Sequence, residues 1–363
     1  MRHFYHIIPA ILTWILLALT LIAGLARFVP PSLWAFPQVV CLALPALAVL
    51  CVCAGVTWAA TRHIILPVAT GITLLLILPS LRENFPTSLP EKPAEDAPTL
   101  SLLTYNIHCC DDMQTGKTGC SRSLDYVMEQ NADIVCLQEL YSLDFVHRNG
   151  YISTEQMQRM KALYPYTVAN GDIDVRIFSK YPVKRVNSYF SPDLKYFMYE
   201  MAEVEIPGHP LTLINLHLTS FSLNSGERSI INEMTHGAEG MKKSVSRMKH
   251  TVYHKLSEAF RLRAEAAQML AELVRNIPGT IIVCGDFNDV PGSYSYNVIR
   301  KAGLEDAYCD AAFGPTVTFN GFNLYFHIDQ ILYRGALRPY AIERGRLKAS
   351  DHYPLTAKFE LTQ

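Results

Sequence analysis

Residues 279–289 read GTIIVCGDFND. Side chains alternate across a strand, so the unbroken apolar run Ile281–Cys284 predicts a strand covered on both faces rather than one with a wet side. The run then ends in Asp286 and Asn288, for which a buried strand has no packing use. Working outward, the same signature recurs. LSLLTYNI (100–107) ends at Asn106, and DIVCLQE (133–139) ends at Glu139. LTLINLHL (211–218) carries Asn215 and His217, IDQILY (328–333) opens on Asp329 behind His327, and Asp351 and His352 precede PLTAKFEL (354–361). Helical stretches separate several of these runs, the clearest at Leu262, Ala266, Met269, Leu270 and Leu273, spaced for one buried face. Strands that alternate with helices, several of them apolar throughout, imply an α/β domain whose sheets are covered by helices. Residues 99–363 suffice for one such domain, and no internal repeat is visible.

Each terminal polar residue taken alone has an ordinary explanation. Asn106 could cap a turn, Glu139 could sit exposed, Asp286 and Asn288 could form an Asx turn before Pro291, and His352 could be a satisfied core histidine. Together they ask for another account, because strand ends in a layered sheet converge on one rim. Asn106 and Glu139 offer hard oxygens suited to Mg²⁺ or Mn²⁺ rather than zinc. Asp286 can orient or deprotonate a water held by Asn288. His352, kept in one tautomer by Asp329, can move a proton or stabilise charge, and His217 can donate to a nonbridging oxygen. The chemistry this set serves is metal-assisted hydrolysis of a phosphate ester.

The ordered set TYNIH, CLQE, NLHL, CGDFND, HIDQILY and SDHYP resembles the endonuclease/exonuclease/phosphatase superfamily, which includes deoxyribonuclease I and neutral sphingomyelinases, over roughly residues 99–363. GDFN followed later by SDH carries most of the likeness. The resemblance implies a four-layer α/β sandwich of two packed mixed sheets flanked by helices, with a Mg²⁺-dependent site on one rim. It implies Asn106, Glu139 and Asp351 at the metal, Asp286 and Asn288 as the water-orienting pair, and Asp329 as partner of the acid/base His352. Phosphate contacts would come from His217, Asn215 and Asn288, with Arg176 a further candidate from the loosely matching IDVRIFSKYPV. The sequence departs from the family pattern at His327, where a larger group or an arginine is usual.

The N-terminal part follows a different rule. Half of the chain is hydrophobic and only 18% charged, which excludes disorder. Residues 1–81 contain only Arg2, Arg27 and Arg62 as charged groups. The uncharged runs are long enough to cross about 30 Å of hydrocarbon, so three transmembrane helices are expected at 7–27, 39–60 and 64–81, within a region spanning 1–82. A cleaved signal peptide would also suit Arg2 and the first run, but two further spans follow. Residues 83–98, with Pro86, Pro90, Pro93 and Pro98 among acidic residues, read as an extended linker that lifts the domain from the bilayer. An odd span count, with Arg2 and Arg62 on the cytoplasmic side, implies a multi-pass cell-membrane protein with an extracytoplasmic catalytic domain.

Net charge of −1 gives no whole-chain basic field for a polyanion. Residues 225–263 hold eight Lys or Arg against four Glu, either a solvated helix face or, through Lys242, Lys243, Arg247, Lys249 and Lys255, a surface for anionic headgroups. Cys41, Cys51 and Cys53 fall in predicted spans, Cys136 and Cys284 in strands, and Cys109, Cys110, Cys120 and Cys309 lack zinc spacing, leaving one disulfide among them open if the domain is exported. The leading expectation is a membrane-tethered, Mg²⁺-dependent phosphoesterase acting on a small or lipid-borne phosphate ester. A nuclease cutting DNA or RNA is the alternative on the same fold, and a catalytically silent membrane scaffold is the alternative of another class.

Overall fold

A computed structural model describes residues 4–168, 171, 173–195, 197–221, 241–321 and 324–362, with backbone alone for 4–5 and 241–252. Twelve strands form two six-stranded sheets among these residues. They are β1 (Thr99–Asn106), β2 (Ile134–Gln138), β3 (Tyr166–Val168), β4 (Arg176–Ser179), β5 (Val183–Ser191) and β6 (Phe197–Val204). The second half adds β7 (Leu211–His217), β8 (Ile281–Asp286), β9 (Glu305–Asp306), β10 (Asp329–Arg334), β11 (Leu337–Arg344) and β12 (Leu355–Leu361). One sheet has the order β11-β12-β1-β2-β4-β3 and the other β5-β6-β7-β8-β10-β9. In each a single parallel pair, β1 with β2 and β7 with β8, lies among antiparallel neighbours. All six strands expected from the apolar runs are present.

Strand alternation explains why those runs are apolar throughout. Leu100, Leu102, Ile282 and Cys284 meet between the sheets. Their neighbours Ile281 and Val283 face outward onto Leu262, Ala266 and Leu270 of the long helix Met241–Arg275, while Leu103 and Tyr105 face Leu124, Val127 and Met160 on the helices over the other sheet. Helix, sheet, sheet and helix make the four layers of the expected sandwich. Of the basic stretch, residues 225–240 and the side chains of Lys242, Lys243, Arg247 and Lys249 lie outside the described residues.

The N-terminal region is built from α1 (Phe4–Leu25), α2 (Phe36–Cys41), α3 (Leu44–Ala60), α4 (Ile65–Leu76) and α5 (Leu78–Asn84). It corrects the expectation of three full spans. Only one described helix, His6–Phe28, is long and apolar enough to cross a membrane, with a second if α4 and α5, bent by 72°, count as one. Proline makes the difference: Pro79 has no amide hydrogen to continue α4, and Pro45 starts α3 afresh beyond α2, shortening it to 17 residues. The helices pack on one another through polar contacts such as Trp58 Nε1 to Thr13 Oγ1 at 2.9 Å. Their outer faces expose Ile8, Leu12, Val56, Ile72 and Leu75.

The linker expectation is corrected as well. Residues 83–98 lie along the sandwich: Gly314 N donates to Pro86 O at 2.8 Å, Glu91 N to Tyr340 O at 2.7 Å, and Ala94 N to Glu360 Oε2 at 3.0 Å. The turn after α1 is fastened too. Arg27 Nη2 donates to Asn297 Oδ1 at 2.7 Å, and Asn297 Nδ2 returns a bond to Arg27 O at 3.0 Å. Buried Glu83 accepts from Arg27 at 3.1 Å and from Arg300 at 2.6 Å. Removing one member of a buried charge network leaves the others without compensation, so Glu83→Ala is expected to cost about 3 kcal/mol. A thermal midpoint unchanged from wild type in detergent would show that this junction carries no stability.

Candidate active site

The strand ends expected to converge do so. Asn106 closes β1, Glu139 follows β2, His217 closes β7, Asp286 closes β8, Asp329 opens β10, and Asp351 and His352 precede β12. The parallel register sets His217 beside Asp286, and the antiparallel register sets Asp329 against Asp286. Asp286 is the hub. Its Oδ2 lies 3.1 Å from Asn106 Nδ2, 3.6 Å from His217 Nε2 and 3.5 Å from His352 Nε2, and its Oδ1 accepts from Asn288 N at 2.8 Å. Asn106 Nδ2 also donates to Glu139 Oε1 at 2.9 Å. Glu139 and Asn288 hold φ of +55° and +49°, uncommon for residues with a Cβ and frequent where side chains are aimed at a site.

Asp329, with no exposed surface, holds His352 Nδ1 at 2.9 Å. Asp329 is fixed through its backbone amide, which donates to Thr318 Oγ1 at 3.0 Å, and Phe319 packs edge-on against the imidazole at 5.1 Å. Burial disfavours the charged imidazole, but Asp329, Asp286 and Asp351 outweigh it and hold the His352 pKa well above the ordinary value. His217 follows the same logic. Burial lowers its pKa, while Asp174, 3.8 Å from Nδ1, together with Asp286 and Glu139 brings it up to about 9. Both rings thus turn Nε2 toward the Asp286 carboxylate, in surroundings that favour their protonated forms. Burial pulls His327 the other way, to about 4, and it packs on Tyr308 away from this cluster.

Asn215 and Arg176 do not reach the rim. Asn215 shares a strand face with His217 but sits two residues deeper, about 7 Å in. There it stitches the sheets together, donating to Leu137 O at 3.0 Å and Arg176 O at 2.9 Å and accepting from Gln138 Nε2 at 2.7 Å. Arg176 is 2% exposed, and its Nη1 donates to Val175 O at 2.9 Å. Burial lowers its pKa against the opposing pull of Asp174 and Glu200, so its charge is balanced inside the sandwich rather than offered to a phosphate. Both are corrected from phosphate contacts to interior supports.

The rim opens into a cleft of about 250 Å³. Its lining is polar at Glu139, His217, Asp286, Asn288, Asp351 and His352. It is apolar at Phe221, Phe319, Leu324, Phe326 and Ile328, together with Leu42 from the N-terminal region. Those aromatic and aliphatic residues carry no sequence signal of function, and neither do His108, Asp174 or Arg263. Arg263, fully buried, donates to Thr219 O at 2.8 Å and also to Asn288 O, pinning the two loops beside Asp286. A larger groove of about 720 Å³ lies at the opposite ends of β7 and β8, beside Glu203, His209 and Asn276, without convergent chemistry.

A divalent cation fits this donor set. Glu139, Asp286 and Asp351 are carboxylates lining the same cleft, and the amide nitrogen of Asn106 donates to the first two. Ligating atoms of Asp286, Asp329 and His352 also lie within 4.8 Å of one another, but Asp329 and His352 are spent on each other. All nine cysteines are free, and none lines the cleft.

Comparison with curated proteins finds no match. Among solved structures the chain is similar to TDP2 from C. elegans at 18% identity, covering 73% of this chain and 77% of that one with a TM-score of 0.46. It is similar to an endonuclease/exonuclease/phosphatase from Bacteroides vulgatus at 17% identity, covering 73% and 99% with a TM-score of 0.47. A third likeness is to ANGEL2, a 2',3'-cyclic phosphatase, at 18% identity, covering 75% and 98% with a TM-score of 0.44. The profile of the Endonuclease/Exonuclease/phosphatase family matches residues 103–352, from β1 through His352 and across every rim residue above, so the chain belongs to that family of metal-dependent hydrolases of phosphate ester bonds.

Proposed function

We propose that this protein is a membrane-anchored, Mg²⁺-dependent phosphoesterase that hydrolyses its substrate by direct attack of water. The observation that carries the reading is the hub at Asp286, whose two oxygens meet an amide, a backbone N–H and two imidazoles at one cleft wall. Glu139 and Asp351 would hold the cation, joined by Asn106 through Oδ1 once its amide turns from the orientation in which Nδ2 donates to Glu139 and Asp286, and Mn²⁺ suits the same oxygens. When bound, the ion supplies neutralisation of charge on the phosphoryl group and its leaving oxygen. Asp286 orients the attacking water and accepts its proton. Asn288, its Nδ2 engaged with Leu218 O at 2.9 Å, turns Oδ1 to the same water. His217 donates to a nonbridging oxygen, and His352, steadied by Asp329, donates from Nε2 where negative charge develops.

Anchoring is supported by the outer faces of α1, α3 and α4, which expose Ile8, Leu12, Val56, Ile72 and Leu75. α1 runs toward the sandwich, α3 away from it and α4 back, so the start of α1 and Arg62 lie at the end of these helices away from the sandwich. With the basic end cytoplasmic, the catalytic domain is extracytoplasmic. Among the described residues no Lys or Arg lines the cleft, which favours a compact phosphate ester over a polynucleotide whose backbone needs a cationic track.

The test is full-length protein in phosphatidylcholine nanodiscs, with Mg²⁺ or with EDTA, against p-nitrophenyl phosphate, bis(p-nitrophenyl) phosphate, lipid phosphates and plasmid DNA. Hydrolysis of an ester that EDTA abolishes and Mg²⁺ or Mn²⁺ restores is expected. Preferential plasmid nicking would replace the substrate class with nucleic acid, and silence on the whole panel with either metal would leave the scaffold reading standing.

A further inference from the structure

The N-terminal region does more than hold the sandwich near a surface, because it supplies part of the catalytic cleft. Leu42, in the short turn between α2 and α3, lines the same cleft as Asp286 and His352. Behind it Ala26 and Cys41 of the N-terminal region form one apolar cluster with Val290 and Ile328 of the sandwich, and Leu42, Phe319 and Phe326 pack against that cluster. Phe319 and Phe326 lie nearly parallel, 5° apart in plane and 6.5 Å between centroids, and Phe319 also touches the His352 ring. The cleft thus combines the charged reacting groups with an apolar part, Leu42, Phe319, Phe326 and Ile328, that is continuous with the packing between the N-terminal region and the sandwich. A hydrophilic substrate would leave that surface wet at no benefit, whereas an aliphatic chain laid along it leaves water.

The contact is fixed rather than occasional. Tyr294 N donates to Gln38 Oε1 at 3.0 Å, and Gln38 Nε2 ties Ala26 O and Val29 O at 2.9 and 3.0 Å. Asn84 Nδ2 donates to Pro291 O at 3.0 Å on the other side of the same junction, beside the Arg27–Glu83–Arg300 network. The segment that carries Leu42 thus has one position against the rim. In the preceding connection, between α1 and α2, Phe28, Leu33 and Trp34 are exposed, as side chains at a bilayer interface would be.

We propose that the substrate is a bilayer-borne amphiphile, a phosphate ester with an aliphatic chain, whose phosphate meets the His217–Asp286–His352 side while its chain lies between Leu42 and Phe319, Phe326 and Ile328. This rests on the phosphoesterase reading and names the substrate class for the same cleft. It also makes the N-terminal region a specificity determinant. A chain entering from the membrane end of the cleft need not pass through water, and the apolar wall selects for chain length.

The experiment uses full-length protein in phosphatidylcholine nanodiscs with Mg²⁺ and two homologous series, n-alkyl phosphates and n-alkyl p-nitrophenyl phosphates, from methyl to octyl. The n-alkylphosphonates of the same lengths serve as competitors. Burial of one methylene corresponds to about a three- to fourfold gain, so kcat/KM and phosphonate affinity are both expected to rise at least about tenfold between butyl and octyl. Leu42→Asn and, independently, Phe326→Ser are expected to cut the octyl-to-methyl ratio by about tenfold, an internal ratio that general loss of folded enzyme does not move. A flat series for wild type, or a ratio untouched by both substitutions, overturns the inference while leaving the phosphoesterase reading intact. No turnover of any chain length with Mg²⁺ or Mn²⁺ overturns both.

Discussion

Asp286→Asn is expected to lower kcat/KM on every phosphate ester the protein hydrolyses by about 10³- to 10⁴-fold, with its thermal midpoint nearly unchanged. The substitution keeps the size of the side chain and replaces one carboxylate oxygen by an amide that donates. At this position donors already crowd the carboxylate: Asn106 Nδ2 at 3.1 Å, His217 Nε2 at 3.6 Å, His352 Nε2 at 3.5 Å and Asn288 N at 2.8 Å. An amide can satisfy only part of that ring and cannot accept a proton from water. His352→Ala is expected to lose a similar factor, and Asp329→Asn less, about 10²-fold, since it loosens the imidazole without removing it. The two act as a unit, so the double substitution should be no slower than His352→Ala alone. Steady-state kinetics on the four proteins decide the matter. Additive losses would break the proposed Asp329–His352 pairing, and Asp286→Asn within tenfold of wild type would remove Asp286 from the chemistry.

How far the sequence carried the fold can be argued strand by strand. β1, β2, β7, β8 and β10 are covered along most of both faces, and that burial is written as apolar runs, while β12 alternates buried Leu355, Ala357, Phe359 and Leu361 with Thr356, Lys358 and Glu360. β5, VKRVNSYFS, is exposed along most of its length, so its sequence carries no such run and gave no signal. β6 conceals itself differently: buried Glu200 accepts from Ser188 Oγ at 2.6 Å, and a paired acid inside a strand reads on paper as a surface residue. The site was legible for the same reason as its strands, since a polar group at the end of a buried run must face something. What the run cannot convey is depth. Asn215 and His217 have the same parity, and only the position of the rim makes one an interior stitch and the other a cleft residue. Burial is also invisible in one dimension, which is why Arg176 suggested a phosphate contact when it lies inside the sandwich, its Nη1 donating to Val175 O. The apolar wall was unreadable altogether, because Leu42 and Phe326 are separated by most of the chain and neither departs from what an ordinary core residue looks like.

Gly285→Ala is expected to be the most damaging single methyl in the protein, with loss of about 4 kcal/mol or more and a thermal midpoint lower by roughly 10 °C, or no folded protein at all. Gly285 sits between Cys284 and Asp286 with φ of +132°, a backbone conformation closed to side chains. A Cβ there would lie 2.1 Å from Leu216 O and 2.9 Å from Leu216 N, backbone atoms of the neighbouring parallel strand that cannot move without breaking the β7–β8 ladder. That close approach is what brings His217 level with Asp286 at the strand ends, so the glycine builds the hub as well as the sheet. Gly208→Ala separates the two contributions. Its φ is +76° but nothing lies within 4 Å of the added carbon, so it bears conformational strain alone and should cost about 1 kcal/mol. If G285A survives in a stabilising background, its kcat should fall further than its stability accounts for, because any accommodation slides β8 against β7 and takes Asp286 away from His217. A G285A protein as stable as G208A would mean that the strand ends have latitude the register denies, and that the glycine in GDFN serves something other than the approach of the two strands.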